Sequence, residues 1–306
     1  MNPLLDDVPA AFEHVAVRPR LVTIDRKGVA LPQGGHFQGI QRLRTAPQRL
    51  VITSSSNSQA YFVTCDMTSD GTHGRANAPV RLAGSPLNHA GGCQTVDGFL
   101  VVGVEDDNGR RTSEVQFWNV AGSPTPLTSL TIRRSGAEKV STAGAVGSSS
   151  YRNGAALAVA TWNAETVDFY ASSADPFHVS GAKFSFRRTW TKAGANRVGW
   201  IDDNFGKYQS VNLITQRDGK LYLLGLNRSG GDDWMDLFTL NLDAPAPTML
   251  KKIGKKHMFC TDGCSFEFGS GVYVPSSSHF EVYVVKGTSG DHATGTTIHA
   301  NHFGLA

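Results

Sequence analysis

Short apolar runs separated by polar, glycine-rich turns dominate the chain. Runs such as Leu50–Thr53, Phe99–Val104 and Leu221–Leu224 are too short to give a helix an apolar stripe. A second kind of run opens with a polar residue and continues with apolar and aromatic residues, as half-buried strands do. Five such runs align without gaps: Gln59–Val63, Glu114–Trp118, Thr166–Tyr170, Asp236–Leu240 and Glu281–Val285. The pattern predicts an all-β chain of short strands.

A six-residue frame with a small fourth position and an apolar fifth position precedes these runs. It occurs at His36–Gln41, His89–Gln94, Thr142–Gly147, Lys207–Asn212 and Asp262–Glu267. Successive frames end 53, 53, 65 and 55 residues apart. Each frame begins a unit of about four short strands, which is the repeat of a β-propeller blade.

We therefore predict a single five-bladed β-propeller domain over residues 1–306, with four-stranded blades. The N-terminal segment 1–30 contains two strand-like runs, Glu13–Val17 and Arg20–Ile24. These strands would complete the last blade and close the ring, which removes exposed sheet edges. A two-sheet sandwich is the alternative fold, but it accounts poorly for five matched frames.

Composition narrows the function classes. The 306 residues are 40% hydrophobic and 18% charged, as in a globular protein. A net charge of +3 lacks the basic excess that a nucleic-acid partner requires. Because no apolar run approaches the length of a membrane span, we expect no membrane association. The first residues, Met1–Val8, do not resemble a leader, so we expect a cytoplasmic location unless a leader peptide had been removed.

Candidate chemistry follows from the predicted geometry. The first strand of each propeller blade lines the central channel, so the first frame positions would meet at one mouth: His36, His89, Thr142, Lys207 and Asp262. The sixth positions would form a second layer below them: Gln41, Gln94, Gly147, Asn212 and Glu267. Convergent polar groups in a concave site are suited to a small polar or sugar-like ligand.

His36, His89 and Asp262 would be neighbours, because blade five precedes blades one and two around the ring. Two imidazoles and one carboxylate form an open-sided site for a divalent metal such as Zn, Fe, Mn or Ca. Water bound to such a metal could act as a nucleophile. In the alternative interpretation, the two histidines bond to neighbouring strands and fix the packing of the blades.

The remaining candidates surround this site. Gln41, Gln94 and Asn212 would form a polar floor, and Lys207, Tyr208 and Gln209 would contact the ligand. Trp162 could stack on a sugar ring. Glu267 is the first choice for an acid–base role, since partial burial would favour its protonated form, and Lys207 would neutralise an anionic substrate group.

Two cysteines form a separate candidate for a zinc site or a disulfide. Cys260 and Cys264 lie close to His257, so these residues could bind zinc, or the cysteines could form a disulfide or remain free thiols.

In blade number and strand rhythm, the chain resembles the five-bladed propellers of the arabinanase, levansucrase and tachylectin groups. Glycosidases of this architecture carry acidic residues on the inner strands of several blades. Here only Asp262 and Glu267 occupy frames, both in one blade, although Glu105 and Asp106, at the end of a second strand, could supply a partner. This distribution disfavours a glycosidase of that kind.

We therefore expect a small polar molecule to bind at the channel mouth, with metal-assisted chemistry of the hydrolase or lyase type as the enzymatic version. The alternative is a non-catalytic propeller that binds a glycan or a protein. The residues leave open whether the chain is an enzyme and what its oligomeric state is.

Overall fold

The computed structural model describes residues 3–287 and 295–306, which contain one short α-helix and 22 β-strands. The elements are α1 (Val8–Glu13), β1 (Arg20–Asp25), β2 (Phe37–Leu43), β3 (Arg49–Ser54), β4 (Gln59–Met67), β5 (His73–Ala76), β6 (Val80–Gly84), β7 (His89–Val96), β8 (Phe99–Glu105), β9 (Thr112–Asn119), β10 (Thr125–Pro126), β11 (Ile132–Ser135), β12 (Ala145–Tyr151), β13 (Gly154–Ala160), β14 (Thr166–Ala171), β15 (Ser185–Thr191), β16 (Ser210–Thr215), β17 (Leu221–Ser229), β18 (Asp232–Leu240), β19 (Leu250–Met258), β20 (Ser270–Tyr273), β21 (Glu281–Val285) and β22 (Thr297–Phe303). Single 3₁₀ turns lie at Thr128–Leu130, Trp162–Ala164 and Ala246–Thr248. Within the described ranges, no helix is both long and apolar enough to span a membrane.

The strands form five antiparallel units in chain order. Blade one contains β2, β3 and β4, with the short strands β5 and β6 both paired to β4. Blade two repeats this plan with β7, β8 and β9, and with β10 and β11 on β9. Blades three and four are β12–β15 and β16–β19, and blade five is β20, β21, β22 and β1. The predicted all-β, five-bladed propeller is confirmed.

The N-terminal strand closes the ring. β1 pairs antiparallel with β22, from Arg20 opposite His302 to Asp25 opposite Thr297, and it also pairs with β5 of blade one. The strand predicted at Glu13–Val17 is wrong, because Glu13 ends the helix α1. Asp7 caps α1 by accepting from the backbone N–H of Ala10, and its apolar residues are buried in the core.

The inner strands of the five blades approach one another closely. The backbone N–H of Gly92 in blade two donates to the carbonyl of Gly144, next to blade three, over 3.0 Å. A Cβ atom added to Gly271 would lie 2.0 Å from the carbonyl oxygen of Ile40. Small residues are therefore required where the strands crowd around the axis.

The predicted frame Asp262–Glu267 does not form the inner strand of blade five. The inner strand of blade five is β20, and Ser210 Oγ of blade four donates to the carbonyl of Ser270. Counting three residues back from these serines aligns Glu267, rather than Asp262, with Lys207. Asp262 lies in a turn with a φ of 55°, and Phe266 packs into the apolar core instead of continuing a strand.

Candidate functional site at the channel mouth

A buried carboxylate and an imidazole meet where blade two reaches the mouth. His89 begins β7 and Glu105 ends β8, and the strand register sets these residues opposite each other. Glu105 Oε2 accepts from the backbone N–H of Ala143 over 2.8 Å, while Oε1 lies 3.1 Å from His89 Nδ1. Glu105 is fully buried and His89 is almost so. The two atoms are within ion-pair distance but lack hydrogen-bond geometry. A carboxylate this close to Nδ1 favours the tautomer with the proton on Nδ1 and the lone pair on Nε2.

The side-chain amide of Gln38 joins His89 to a second imidazole. Gln38 Nε2 lies 2.6 Å from His89 Nε2 and also contacts His36 Nε2. One amide NH₂ has two hydrogens and can donate to both rings when both Nε2 atoms are unprotonated. The ring of half-buried His36 also packs edge-on against Phe268. The groups form a continuous polar chain from buried Glu105 to the mouth.

The backbone around His36 is held firmly. Its N–H donates to Ser55 Oγ over 3.1 Å, and its carbonyl accepts from Ser54 Oγ and from the N–H of Ser55, both over 3.0 Å. Gly35 has a φ of 74°, and a Cβ atom there would lie 2.5 Å from the carbonyl oxygen of Ser55. This close approach requires glycine and fixes where the imidazole enters the mouth.

Trp162 forms one wall of the site. Its ring centroid lies 5.8 Å from that of His89, and the guanidinium carbon of Arg110 lies 4.1 Å from the centroid of the Trp162 ring. The next two residues, Asn163 and Ala164, both have left-handed φ values, of 59° and 54°. Two successive non-glycine residues in this region store backbone strain, which is concentrated at functional sites.

Three buried amides close the axis below the mouth. Gln94 Nε2 donates to the carbonyl of Leu213, and its Oε1 accepts from the N–H groups of Leu213 and Ser148, each over 2.8 Å. Gln41 Nε2 donates to the carbonyl of Cys93 and to Asn212 Oδ1 over 2.9 and 3.0 Å. These side chains form a polar floor, but most of their hydrogen bonds go to the backbones of other blades.

The other predicted ligand contacts differ in how far they are exposed. Tyr208 is buried, and its hydroxyl donates to Asp236 Oδ2 over 2.6 Å, so it is engaged within its own blade. Gln209 is half-buried, whereas Lys207 and Glu267 are exposed. The partial burial expected for Glu267 is therefore absent.

The predicted three-ligand metal site is not formed. His36 and His89 come together, with ring centroids 5.9 Å apart, but Asp262 belongs to the misassigned fifth frame. Among residues 3–287 and 295–306, no group of three or more His, Cys, Asp or Glu side chains could hold a metal ion. This result also applies to His257, Cys260 and Cys264, whose two cysteines are separate free thiols. Burial raises the pKa of the Cys264 thiol to about 12, which disfavours the thiolate that a metal needs.

Three members of the site had no assigned role in the sequence: Gln38, Arg110 and Phe268. The sequence offers Glu105 as a candidate acidic partner at a strand end, without a link to His89. Pairing β7 with β8 as a hairpin would have set Glu105 opposite His89. The position of Phe268 depends on the correct register of blade five.

No protein-family model and no curated protein sequence matches the chain. Among solved structures, it is similar to a thermostable family-43 glycoside hydrolase (TM-score 0.48, 11% identity, 90% of this chain and 91% of that chain). It is also similar to an α-L-arabinofuranosidase from Fusarium graminearum in complex with an iminosugar inhibitor (TM-score 0.47, 7% identity, 94% and 97%). A Lactobacillus plantarum protein is more distant (TM-score 0.38, 11% identity, 81% of this chain), and the match spans only 64% of its length. At these scores, the similarities carry no conclusion about activity.

Proposed function

We propose that the mouth binds a small polar, sugar-like molecule through His36, Gln38 and His89, with Trp162 as its apolar wall. The observation that carries the proposal is the buried Glu105 facing His89 Nδ1, which directs His89 Nε2 towards Gln38 and the mouth. A purely structural histidine is usually satisfied by backbone groups. Here Nε2 meets a side-chain amide, which a ligand hydroxyl can replace without breaking the sheet.

This arrangement supports a proton-transfer role for His89. A ligand hydroxyl that replaces the Gln38 amide would donate to His89 Nε2, and Glu105 would stabilise the resulting imidazolium. The enzymatic version of the proposal is therefore hydrolase or lyase chemistry with His89 as the base. Lys207 and Glu267 precede the inner strands of blades four and five. They are the additional charged groups in this enzymatic version of the proposal.

A metal-assisted version rests on one specific observation. The Nε2 atoms of His36 and His89 both contact the Gln38 amide, so the two imidazoles converge on one point. Rotation of that amide would present its carbonyl oxygen as a third ligand. Zn, Fe or Mn would suit two imidazoles better than Ca, which prefers oxygen ligands.

The binding proposal is tested with arabinose, xylose and galactose as probes, using saturation-transfer difference NMR. We expect His89→Ala and Glu105→Gln to weaken binding at least about tenfold, which is the effect of losing one strong hydrogen bond. His178→Ala is the matched control, because His178 is exposed and its contacts, an ion pair with Asp175 and an edge contact with Phe99, lie away from the mouth. Equal binding by the His89 variant, the control and the parent chain would reject the mouth as the sugar site.

The metal-assisted version is tested by elemental analysis of the parent chain and of the His36→Ala/His89→Ala double variant. We expect a near-stoichiometric ion in the parent chain and its loss in the variant. An unchanged metal content would remove this version and leave the binding proposal standing.

A further inference from the structure

A second cleft lies at the opposite ends of blades three and four. Its volume is about 460 Å³, and it is lined by the turn Tyr151–Asn153, by Ser172–Ser173, by Arg187–Arg188 and by Leu242–Asp243. The seven-residue strand β12 separates this cleft from the mouth, which corresponds to a distance of about 20 Å at about 3.3 Å per residue. The cleft is therefore independent of the proposed sugar site.

A β-bulge brings two arginines to this cleft. Phe169 pairs with Arg188 and Tyr170 pairs with Phe186, which leaves Arg187 as an extra residue on β15. Consecutive strand residues normally point to opposite faces, but a bulge redirects one of them. Arg187 and Arg188 accordingly both line the cleft.

The charges in the cleft are unequal. Arg152 has a φ of 54°, and its guanidinium pairs with Asp243 at 2.5 Å. The guanidinium groups of Arg187 and Arg188 have neither an ion-pair nor a hydrogen-bond partner among the described residues. Three arginines and one aspartate thus line the cleft. The whole chain, by comparison, has a net charge of only +3.

We propose that this cleft binds the phosphate group of a small molecule. Guanidinium groups match phosphate oxygens with paired hydrogen bonds, and three around one cleft can surround a dianion. The hydroxyl of Tyr151 is protonated at neutral pH and can donate as well, and burial raises its pKa further. The volume suits a small ligand rather than a polymer. Asp243 competes with the phosphate for Arg152.

Two substitutions with opposite expected effects test the proposal. Isothermal titration with inorganic phosphate and with glycerol phosphate measures affinity, with glycerol as the uncharged reference. We expect Arg187→Gln/Arg188→Gln to weaken phosphate binding at least about tenfold, since charge-assisted hydrogen bonds are lost. We expect Asp243→Asn to strengthen binding, because the competing carboxylate is removed. A basic cleft with only a structural role would not respond in both directions.

Arg75→Gln/Arg133→Gln is the charge-matched control, because both residues are exposed and lie outside the cleft. Binding reduced equally in this control would indicate a general charge effect and overturn the proposal. Failure of Asp243→Asn to tighten binding would also overturn it. If both phosphates bind, the cleft recognises the phosphate group itself, whereas preference for glycerol phosphate would identify an ester ligand. Binding of glycerol alone would reject phosphate recognition.

Discussion

Gln38 and Gln94 are both buried glutamines on inner strands, yet their surroundings differ. The three hydrogen bonds of Gln94 all go to the backbones of blades three and four. The side-chain amide of Gln38 instead contacts two histidine rings at the mouth. A buried amide that satisfies backbone groups holds the blades together, whereas one that contacts other side chains can be replaced by a ligand. Burial alone therefore does not identify a functional residue.

The largest expected effect is a loss of stability at a buried charge that, like Gln94, holds the fold together. Lys252 is fully buried, and its Nζ lies 3.0 Å from Asp236 Oδ1 and 2.8 Å from Asp202 Oδ1. Lys252→Met should destabilise the fold by about 3–5 kcal/mol, because it leaves Asp236 buried without its cation. Burial already raises the pKa of Asp236. Urea unfolding of the variant measures the loss.

The added substitution Asp236→Asn should recover part of the stability lost in Lys252→Met, because the orphaned charge is then removed. A double variant that is no more stable than Lys252→Met would assign the loss to packing instead. Neither substitution should change sugar binding at the mouth.

The second expected effect is the loss of stability when a buried amide at the propeller axis is removed. Gln94→Ala should reduce the free energy of unfolding by about 3 kcal/mol, because it leaves two backbone N–H groups and one carbonyl buried without partners. Sugar binding should persist at temperatures well below unfolding. Chemical denaturation checks the stability, and Gln209→Ala is the control, since Gln209 is only half-buried on the neighbouring inner segment.

The third expected effect is that of the same substitution at Gln38, for comparison with Gln94→Ala. Gln38→Ala should reduce the free energy of unfolding by only about 1 kcal/mol or less, because water can take over the contacts at the mouth. It should alter sugar affinity, which Gln94→Ala should not. If the two alanine variants were equally destabilised and equally impaired in binding, the distinction between axis and mouth would be wrong.

The smallest effect is a pH dependence at the junction of blades five and one. Burial acts to raise the pKa of Glu281, but His302 at 3.0 Å and Arg42 at 3.1 Å outweigh it, and the pKa lies below its ordinary value. A depressed pKa stabilises the fold above the unfolded-state pKa of about 4.3. That stability is lost as the pH falls through the folded-state pKa.

Urea midpoints measured between about pH 6 and pH 3 test this dependence. The parent chain should lose stability in acid more steeply than Glu281→Gln does. The exposed Glu138→Gln should follow the parent curve. Parallel curves for all three proteins would show that Glu281 is not coupled to folding.

The strand rhythm could be predicted because it depends on local sequence. Alternating runs such as Thr166–Tyr170 have one buried and one partly exposed face, and this pattern is visible in the residues themselves. Four of the five inner frames were located for the same reason. The prediction of the fifth frame was wrong because the turn around Asp262 has the same residue types as the frame. Only packing decides that the strand beginning at Ser270 is the inner strand of blade five.

The sequence by itself determined the number of blades, the small residues around the axis and the closing strand β1, because each follows from local spacing and side-chain size. Only the tertiary structure decided that Glu105 faces His89, that Gln38 bridges two imidazoles, and that a bulge directs Arg187 and Arg188 to one cleft. These contacts depend on strand register and on the angles between blades. Both are set by packing across the whole ring, so no local pattern specifies them.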